Sequence, residues 1–378
     1  MITRLYIKNF KSLRAADLAL TYLNLLTGLN GSGKSSLIQT LLLLRQSKAG
    51  LEVGKLMLRL PDSPFELFDA GLAGDVYYSL GAEPEICFHL NFSDRARLEW
   101  NFRYQREQNE HDDVLEGAQP YASHELNTCA IFNDQFQYLF AERQRPRDSY
   151  AASSDNVLTR KTLGIYGEHT PYYLHIHGLQ SQIEYAHLQH PKAKSEQLLY
   201  QADAWLREIS PGVGIQTALA HSKEEVDLRY EYGVYAYKPK NVGFGLSYVL
   251  PVIVSLLTAR PGKLILIENP ESHIHPRGQV ELGRLLAAAV QTGAQLIIET
   301  HSDHILNGIR IAVREQLIAP EQAAAFFFKR NDEEYASEIT HIGIDDKGKL
   351  YRHTPEGKNA RLPKDFFDNW TTSMSKLL

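Results

Sequence analysis

Gly28-Leu29-Asn30-Gly31-Ser32-Gly33-Lys34-Ser35 decides how the rest of this chain is read, because it fills every fixed position of the pattern GxxxxGK[ST]. An apolar run over residues 22–26 leads into it, and Leu37, Ile38, Leu41, Leu42 and Leu44 come after it at helical spacing. Strand, tight loop and helix are the setting in which glycines turn backbone N–H groups inward around a phosphate, backed by the positive end of the helix. The cradle so predicted runs from Gly28 to Ser36 through Asn30, Gly31, Ser32 and Gly33. Lys34 reaches the β- and γ-phosphates of a nucleoside triphosphate, and the Ser35 hydroxyl ligates Mg²⁺. A chance glycine-rich turn is the competing reading, and the flanking elements count against it.

Upstream of this loop, residues 2–10 alternate apolar and polar as a half-buried strand does. Downstream, the alternating segments 76–80, 86–92 and 98–104 read as antiparallel strands. Residues 105–200 are polar with weak periodicity and read as helices and loops of an inserted lobe; a short amphipathic helix comes next at 202–209. After Asn241 the pattern sharpens into helix 244–258, buried strand 264–267, helix 279–291, buried strand 295–299, helix 304–314 and strand 323–329. The fold class is therefore α/β: a mostly parallel sheet flanked by helices, with an antiparallel β-rich lobe and an inserted, mainly helical lobe. A single head is expected over 1–378. Its parts are the phosphate loop and β-rich lobe at 1–104, the insertion at 105–235, and the remaining motifs at 236–378.

The 378 residues are 43% apolar and 22% charged, as in an ordinary globular protein. A net charge of −5 argues against coating nucleic acid through bulk charge. Two cysteines without a CxxC spacing, no signal-peptide pattern and no apolar run near the roughly 20 residues of a membrane helix point to a cytoplasmic chain without a membrane partner.

A phosphate loop needs a carboxylate at the end of a neighbouring buried strand to hold the metal. Leu264-Ile265-Leu266-Ile267-Glu268 supplies one, continuing into Asn269-Pro270-Glu271-Ser272-His273-Ile274-His275-Pro276; a second strand ends in Glu299-Thr300-His301-Ser302. Together with Asn9-Phe10-Lys11-Ser12, these segments resemble the ABC-type ATPases of the RecF, SMC and OLD-nuclease group. Within that group the chain is similar to a bacterial family of AAA-type ATPases. The hallmarks of that family correspond here to Ala141-Glu142-Arg143 with Pro146-Arg147, Asn241-Val242-Gly243-Phe244-Gly245-Leu246-Ser247, and Phe366-Phe367-Asp368-Asn369-Trp370.

The resemblance implies ATP and Mg²⁺ as cofactors, with Ser35 and Glu268 on the metal. It also implies that the residue after Glu268 should be the glutamate that orients the attacking water, and this chain has Asn269 there. An amide cannot take the water's proton, a loss worth about 10²–10⁴-fold unless Glu271 substitutes as the base. His301 corresponds to the histidine that senses the γ-phosphate. Ser302, Asp303, His304, His273 and His275 read as helix caps and loop packing. Lys11 and Ser12 fall beside the ribose and α-phosphate. Gly245 and Ser247 lie in the signature-like loop, which in the family's architecture meets the ATP of a second subunit, so that ATP joins a homodimer.

Arg143, Arg145 and Arg147 form a dense basic knot, and Lys238 and Lys240 flank the signature-like loop. They are candidates to touch DNA or RNA phosphates, or to pair with the many acidic residues. The function expected is an ATP-driven switch that hydrolyses slowly and controls a separate effector protein or a nucleic acid, in bacterial genome maintenance or anti-phage defence. The alternative is an ATP-regulated nuclease acting on DNA or RNA, which needs a carboxylate cluster away from the phosphate loop that the sequence does not display.

Overall fold

Alternation at the N-terminus builds a strand, Ile2–Phe10, whose Leu5, Ile7 and Phe10 point into the core. It pairs antiparallel with Leu13–Ala19 on one side and Glu85–Phe92 on the other, and Arg97–Arg103 extends the sheet. Phe88, Leu90, Leu98, Trp100 and Phe102 continue the same buried face, as period-two patterning expects, but the alternating segment 76–80 is not a strand: Val76 ends the short helix Ala73–Val76 and Tyr77 makes an isolated bridge to Phe10. A computed structural model of the chain describes residues 1–48, 57–60, 67–117, 121–122, 126–220, 224–355 and 357–367. Asp368, Asn369 and Trp370 of the last family segment lie outside the described residues.

The chain divides into two compact units: Met1–Asn133 with Ala324–Gly343 and Leu350–Leu378, and Asp134–Ala323 with Ile344–Lys349. Besides the antiparallel layer, the first unit contains the strand Leu23–Gly28, the helix Lys34–Gln46 and a run of antiparallel strands, Ala323–Asn331 with Ala336–Ile344 and Leu350–Thr354 with Gly357–Asn359. Leu37, Ile38 and Leu41 through Leu44 are all buried, so this helix is sheathed on most of its surface, as its sequence of leucines demands.

At the centre of the second unit, Phe136–Leu139, Leu264–Glu268 and Gln295–Glu299 form a parallel ladder with every residue buried. The helices Phe244–Leu257, Pro276–Val290 and Asp303–Arg314 belong to the same unit. The stretch read as helices and loops does contain the helices Thr170–His177 and Leu198–Ile209. It also contains an antiparallel sheet, Val213–Leu219 with Glu225–Tyr232, and it contributes Phe136–Leu139 to the parallel core. Four residues are too few to show a period. Gln137 is admitted to the core because its amide bonds Tyr138 O at 2.8 Å and Gly164 O at 3.0 Å. Among the described residues no helix is long and apolar enough to cross a membrane.

On the antiparallel strands of the first unit, the His341 ring is stacked between Phe326, at 5.0 Å, and His353, at 4.1 Å. Burial, with His353 alongside, pushes the His341 imidazole down from 6.5 to about 4. The folded chain therefore keeps His341 neutral where the unfolded chain takes up a proton. Its contribution to stability is complete above pH 6.5 and is lost as the pH falls toward about 4. Replacing His341 by Phe should remove about 1–3 kcal/mol of the acid destabilisation seen between pH 7 and pH 4.5. Urea melts of the two chains at both pH values measure this, and an unchanged pH dependence would contradict it.

Candidate functional site

One candidate cluster, the phosphate loop, lies in the first unit. Gly28, Gly31 and Gly33 all have positive φ, at 140°, 74° and 100°. Space also requires two of these glycines. A β-carbon on Gly28 would come within 2.1 Å of Phe328 O, and one on Gly33 within 2.1 Å of Ser337 Oγ and 2.6 Å of Ser12 Oγ. The Ser337 hydroxyl donates to Ser32 O at 2.7 Å and shares a 2.8 Å hydrogen bond with the Ser12 hydroxyl, pinning the loop from behind. Gly33 caps the next helix without a side-chain hydrogen bond. Leu29, Asn30 and Gly31 face solvent at the rim.

Lys34 is only 3% exposed, and its ammonium is folded onto the loop's own carbonyls, Leu29 O at 2.8 Å and Gly28 O at 3.1 Å. These bonds hold the amine beside the turn. Ser35 and Ser36 open the helix, and Ser36 O accepts from Thr40 Oγ1. Lys11 packs against the phosphate-loop helix. It has a left-handed backbone (φ 52°), an N–H donated to Val76 O, and an ammonium 2.8 Å from Gln39 Oε1 on the phosphate-loop helix. Burial holds its pKa below the usual lysine range. Lys11 and Ser12 thus join Gly28 through Ser36 in one cluster.

A second candidate cluster, of carboxylates, belongs to the second unit. Parallel register sets Glu268 directly beside Glu299 at the ends of adjacent strands. Burial and the nearby Glu299 push the Glu268 carboxyl up to about 7, against the opposing pull of a 2.7 Å hydrogen bond donated by Tyr138 Oη to Oε1. Asn269 turns out of the sheet with φ 44°, its N–H still bonded to Glu299 O at 2.8 Å. Glu271 Oε1 accepts the His301 N–H at 2.7 Å, and burial raises the Glu271 pKa. Asn269 Oδ1 and Glu271 Oε2 are buried without a hydrogen-bond partner. Buried acceptors left in that condition are costly, and they fit the water shell of a hydrated cation better than they fit packing.

Asn269, Glu271 and His301 therefore come together with Glu268 in this unit. Ser302 caps the helix Asp303–Arg314 through His304 N and Ile305 N, and His275 caps Pro276–Val290 through Arg277 N. His273 packs its ring 4.9 Å from Tyr248. In the signature-like loop the helical period carries Ser247 onto the inward face with Leu250 and Val254, leaving it 8% exposed with its hydroxyl enclosed. Gly245 lies against the His273 carbonyl, where a β-carbon would come within 2.4 Å. Gly243 and Phe244 face outward, Phe244 at 57% exposure.

Two residues that sequence reasoning did not place beside Glu268 are in contact with it. Arg143, read there as one of a basic knot, is 1% exposed and donates to Glu268 O at 2.6 Å and Asn269 O at 3.2 Å. Tyr138 holds the Glu268 carboxyl. The only signal for either was the short apolar run before Ala141 and the family segment that contains Arg143. Of the other basic residues, Arg145 pairs with Glu142 at 3.5 Å, and Lys238 and Lys240 share Asp148 at 3.7 and 2.7 Å. Among the described residues no group of three or more His, Cys, Asp or Glu is disposed to hold a metal ion.

The chain matches, over residues 23–307, the family described as "AAA domain, putative AbiEii toxin, Type IV TA system". No curated protein matches it. Among solved structures it is similar to an SMC head bound to the C-winged helix domain of ScpA, at 13% identity and a TM-score of 0.50, covering 90% of this chain and 98% of that one. An Smc head domain with an extended coiled coil, bound to the C-terminal domain of ScpA derived from Pyrococcus furiosus, gives 11% identity and a TM-score of 0.50, with 90% and 96% covered. At such identities the likeness is one of fold: an SMC-head-like α/β arrangement with a phosphate loop. With the family match spanning well over half its length, the chain belongs to this AAA-domain family, and its fold is that of an SMC head.

Proposed function

We propose that this protein is an ATP-driven switch: it binds ATP with Mg²⁺, pairs with a second copy around the nucleotide, hydrolyses slowly, and signals to a separate effector protein or a nucleic acid. The observation that carries the reading is the loop at Gly28 through Ser36, where backbone conformation, exclusion of β-carbons and the held Lys34 amine all suit a triphosphate. Membership of a P-loop ATPase family makes nucleotide binding the coarse function, and the rest of the reading extends it.

Lys34 would leave the loop carbonyls for phosphate oxygens, an exchange of neutral acceptors for charged ones that favours the bound state. Ser35 and Glu268 are the protein groups proposed for Mg²⁺, which when bound neutralises phosphate charge; a metal of this kind keeps several waters and does not need an all-protein cage. Asn269 can orient a water but cannot accept its proton. Glu271 can, with one oxygen anchored by the His301 amide and the other unpartnered. That anchor also links the proposed base to the proposed γ-phosphate sensor, His301. In the dimer, the outward-facing Gly243 and Phe244 are better placed than Ser247 to meet the partner's nucleotide. The type IV toxin–antitoxin system named in the family description agrees with a role in bacterial defence or genome maintenance.

Lys34→Ala should weaken ATP binding by about 10- to 100-fold and abolish an ATP-dependent shift from monomer to dimer in sedimentation velocity. Oligomeric state unaffected by ATP in the wild type would count against the switch. Glu271→Gln should keep ATP binding and lower turnover by about 10²–10⁴-fold, measured as phosphate release. Turnover equal to wild type would remove Glu271 as the base.

A further inference from the structure

A fully buried guanidinium is expensive to desolvate and persists only where fixed acceptors surround it. The two terminal nitrogens of Arg143 have main-chain acceptors, Nη2 on Glu268 O at 2.6 Å and Nη1 on Asn269 O at 3.2 Å and Ala141 O at 3.4 Å, while Nε is buried without a partner. The first two lie where the strand Leu264–Glu268 ends and Asn269 takes a left-handed conformation. Carbonyls at such an exit leave the sheet ladder and need other donors. A planar fork can serve two of them at once, whereas an ammonium, as a point charge, cannot hold both in register.

Tyr138 grips the same residue from the side. Parallel register puts Tyr138 opposite Leu266, and residues two apart on a strand share a face, so Leu266 and Glu268 point the same way. The long phenol extends along that face and its hydroxyl meets Glu268 Oε1 at 2.7 Å. On the opposite flank Glu299 lies beside Glu268 on the adjacent strand. One short segment, the strand Phe136–Leu139 and the turn after it, therefore supplies both the donor that orients the Glu268 carboxyl and the donor that fixes its backbone.

We infer that Tyr138 and Arg143 are positioning residues: together they clamp the Glu268–Asn269 exit and so set where Glu268, Asn269 and Glu271 stand during ATP hydrolysis. The catalytic part of this role rests on the proposed ATPase function; the clamp itself does not. Arg143 is thereby withdrawn from any phosphate-binding surface, since its guanidinium is committed to the protein interior.

The test uses the full chain with Arg143→Lys and Tyr138→Phe, and Arg145→Lys as a surface control. In nucleotide-free protein, hydrogen exchange of the amides of Asn269, Glu271 and Ser272 should quicken by about tenfold or more in Arg143→Lys, while the helix Lys34–Gln46 exchanges as in wild type. In steady-state hydrolysis both variants should lose about 10- to 100-fold in kcat with KM nearly unchanged, because orientation is lost and nucleotide affinity is not. Arg145→Lys should match wild type in both measurements. If Arg143→Lys fails to fold, Tyr138→Phe, which removes one oxygen and almost no volume, decides by the same kcat and KM split. Exchange and kcat at wild-type values in the folded variants, or a change confined to KM, would overturn the clamp. A wild-type chain that does not bind ATP would instead sink the proposed function, and the exchange measurement would still judge the clamp.

Discussion

Amides converge on an anion only where the backbone turns through conformations that side chains resist. Between the strand Leu23–Gly28 and the helix Lys34–Gln46 the chain does this at Gly28, Gly31 and Gly33, with Phe328 O and Ser337 Oγ set against two of them. No residue with a β-carbon fits at Gly28 or Gly33 without displacing main chain or the Ser12–Ser337 hydroxyl pair. The rest of the first unit serves this turn. Ala336–Ile344 brings Ser337 behind the loop, the hairpin after Ile2–Phe10 delivers Lys11 and Ser12, and the leucine-lined helix Lys34–Gln46 anchors the loop's C-terminal end in the core.

The second unit is organised around an electrostatic stress. Two glutamates end adjacent buried strands side by side, a third lies close by, and burial drives Glu268 up to about 7. A core arranged for stability alone would replace these groups with apolar ones. Burial raises the Glu268 and Glu271 carboxyls together, and Asn269 Oδ1 and Glu271 Oε2 beside them are buried without a protein partner, a concentration of the kind found at functional sites. Tyr138 and Arg143 bear on the same edge, one bonding the side chain of Glu268 and the other its carbonyl.

The features legible in the sequence are the local ones. The GxxxxGK[ST] loop, the all-apolar strand ending in Glu268, the strand ending at Glu299 and the helix capped by Ser302 are each encoded within a few neighbouring residues, and each is found where the periodicity puts it. Tyr138 and Arg143 were not legible because their roles depend on the register between strands more than a hundred residues apart in the chain. Arg143 also sits among Arg145 and Arg147, in a run that looks like solvated charge. Glu225–Tyr232 carries the inward alternation of Val226, Leu228 and Tyr230, but in a background of Asp, Glu and Arg that hides it. Ser247 reads as part of the signature-like loop although the helix expected over 244–258 contains it, and that helix turns it inward.

The central claim is that the turn from Gly28 to Ser36 receives a triphosphate. Calorimetric titration of the folded, wild-type chain with ATP in the presence of Mg²⁺ tests it most directly. The expected result is saturable binding of one nucleotide per chain, displaced by ADP and unaffected by adenosine, which lacks the phosphates the loop would hold. A folded chain that gives no binding heat and no thermal stabilisation with any nucleoside triphosphate would contradict it.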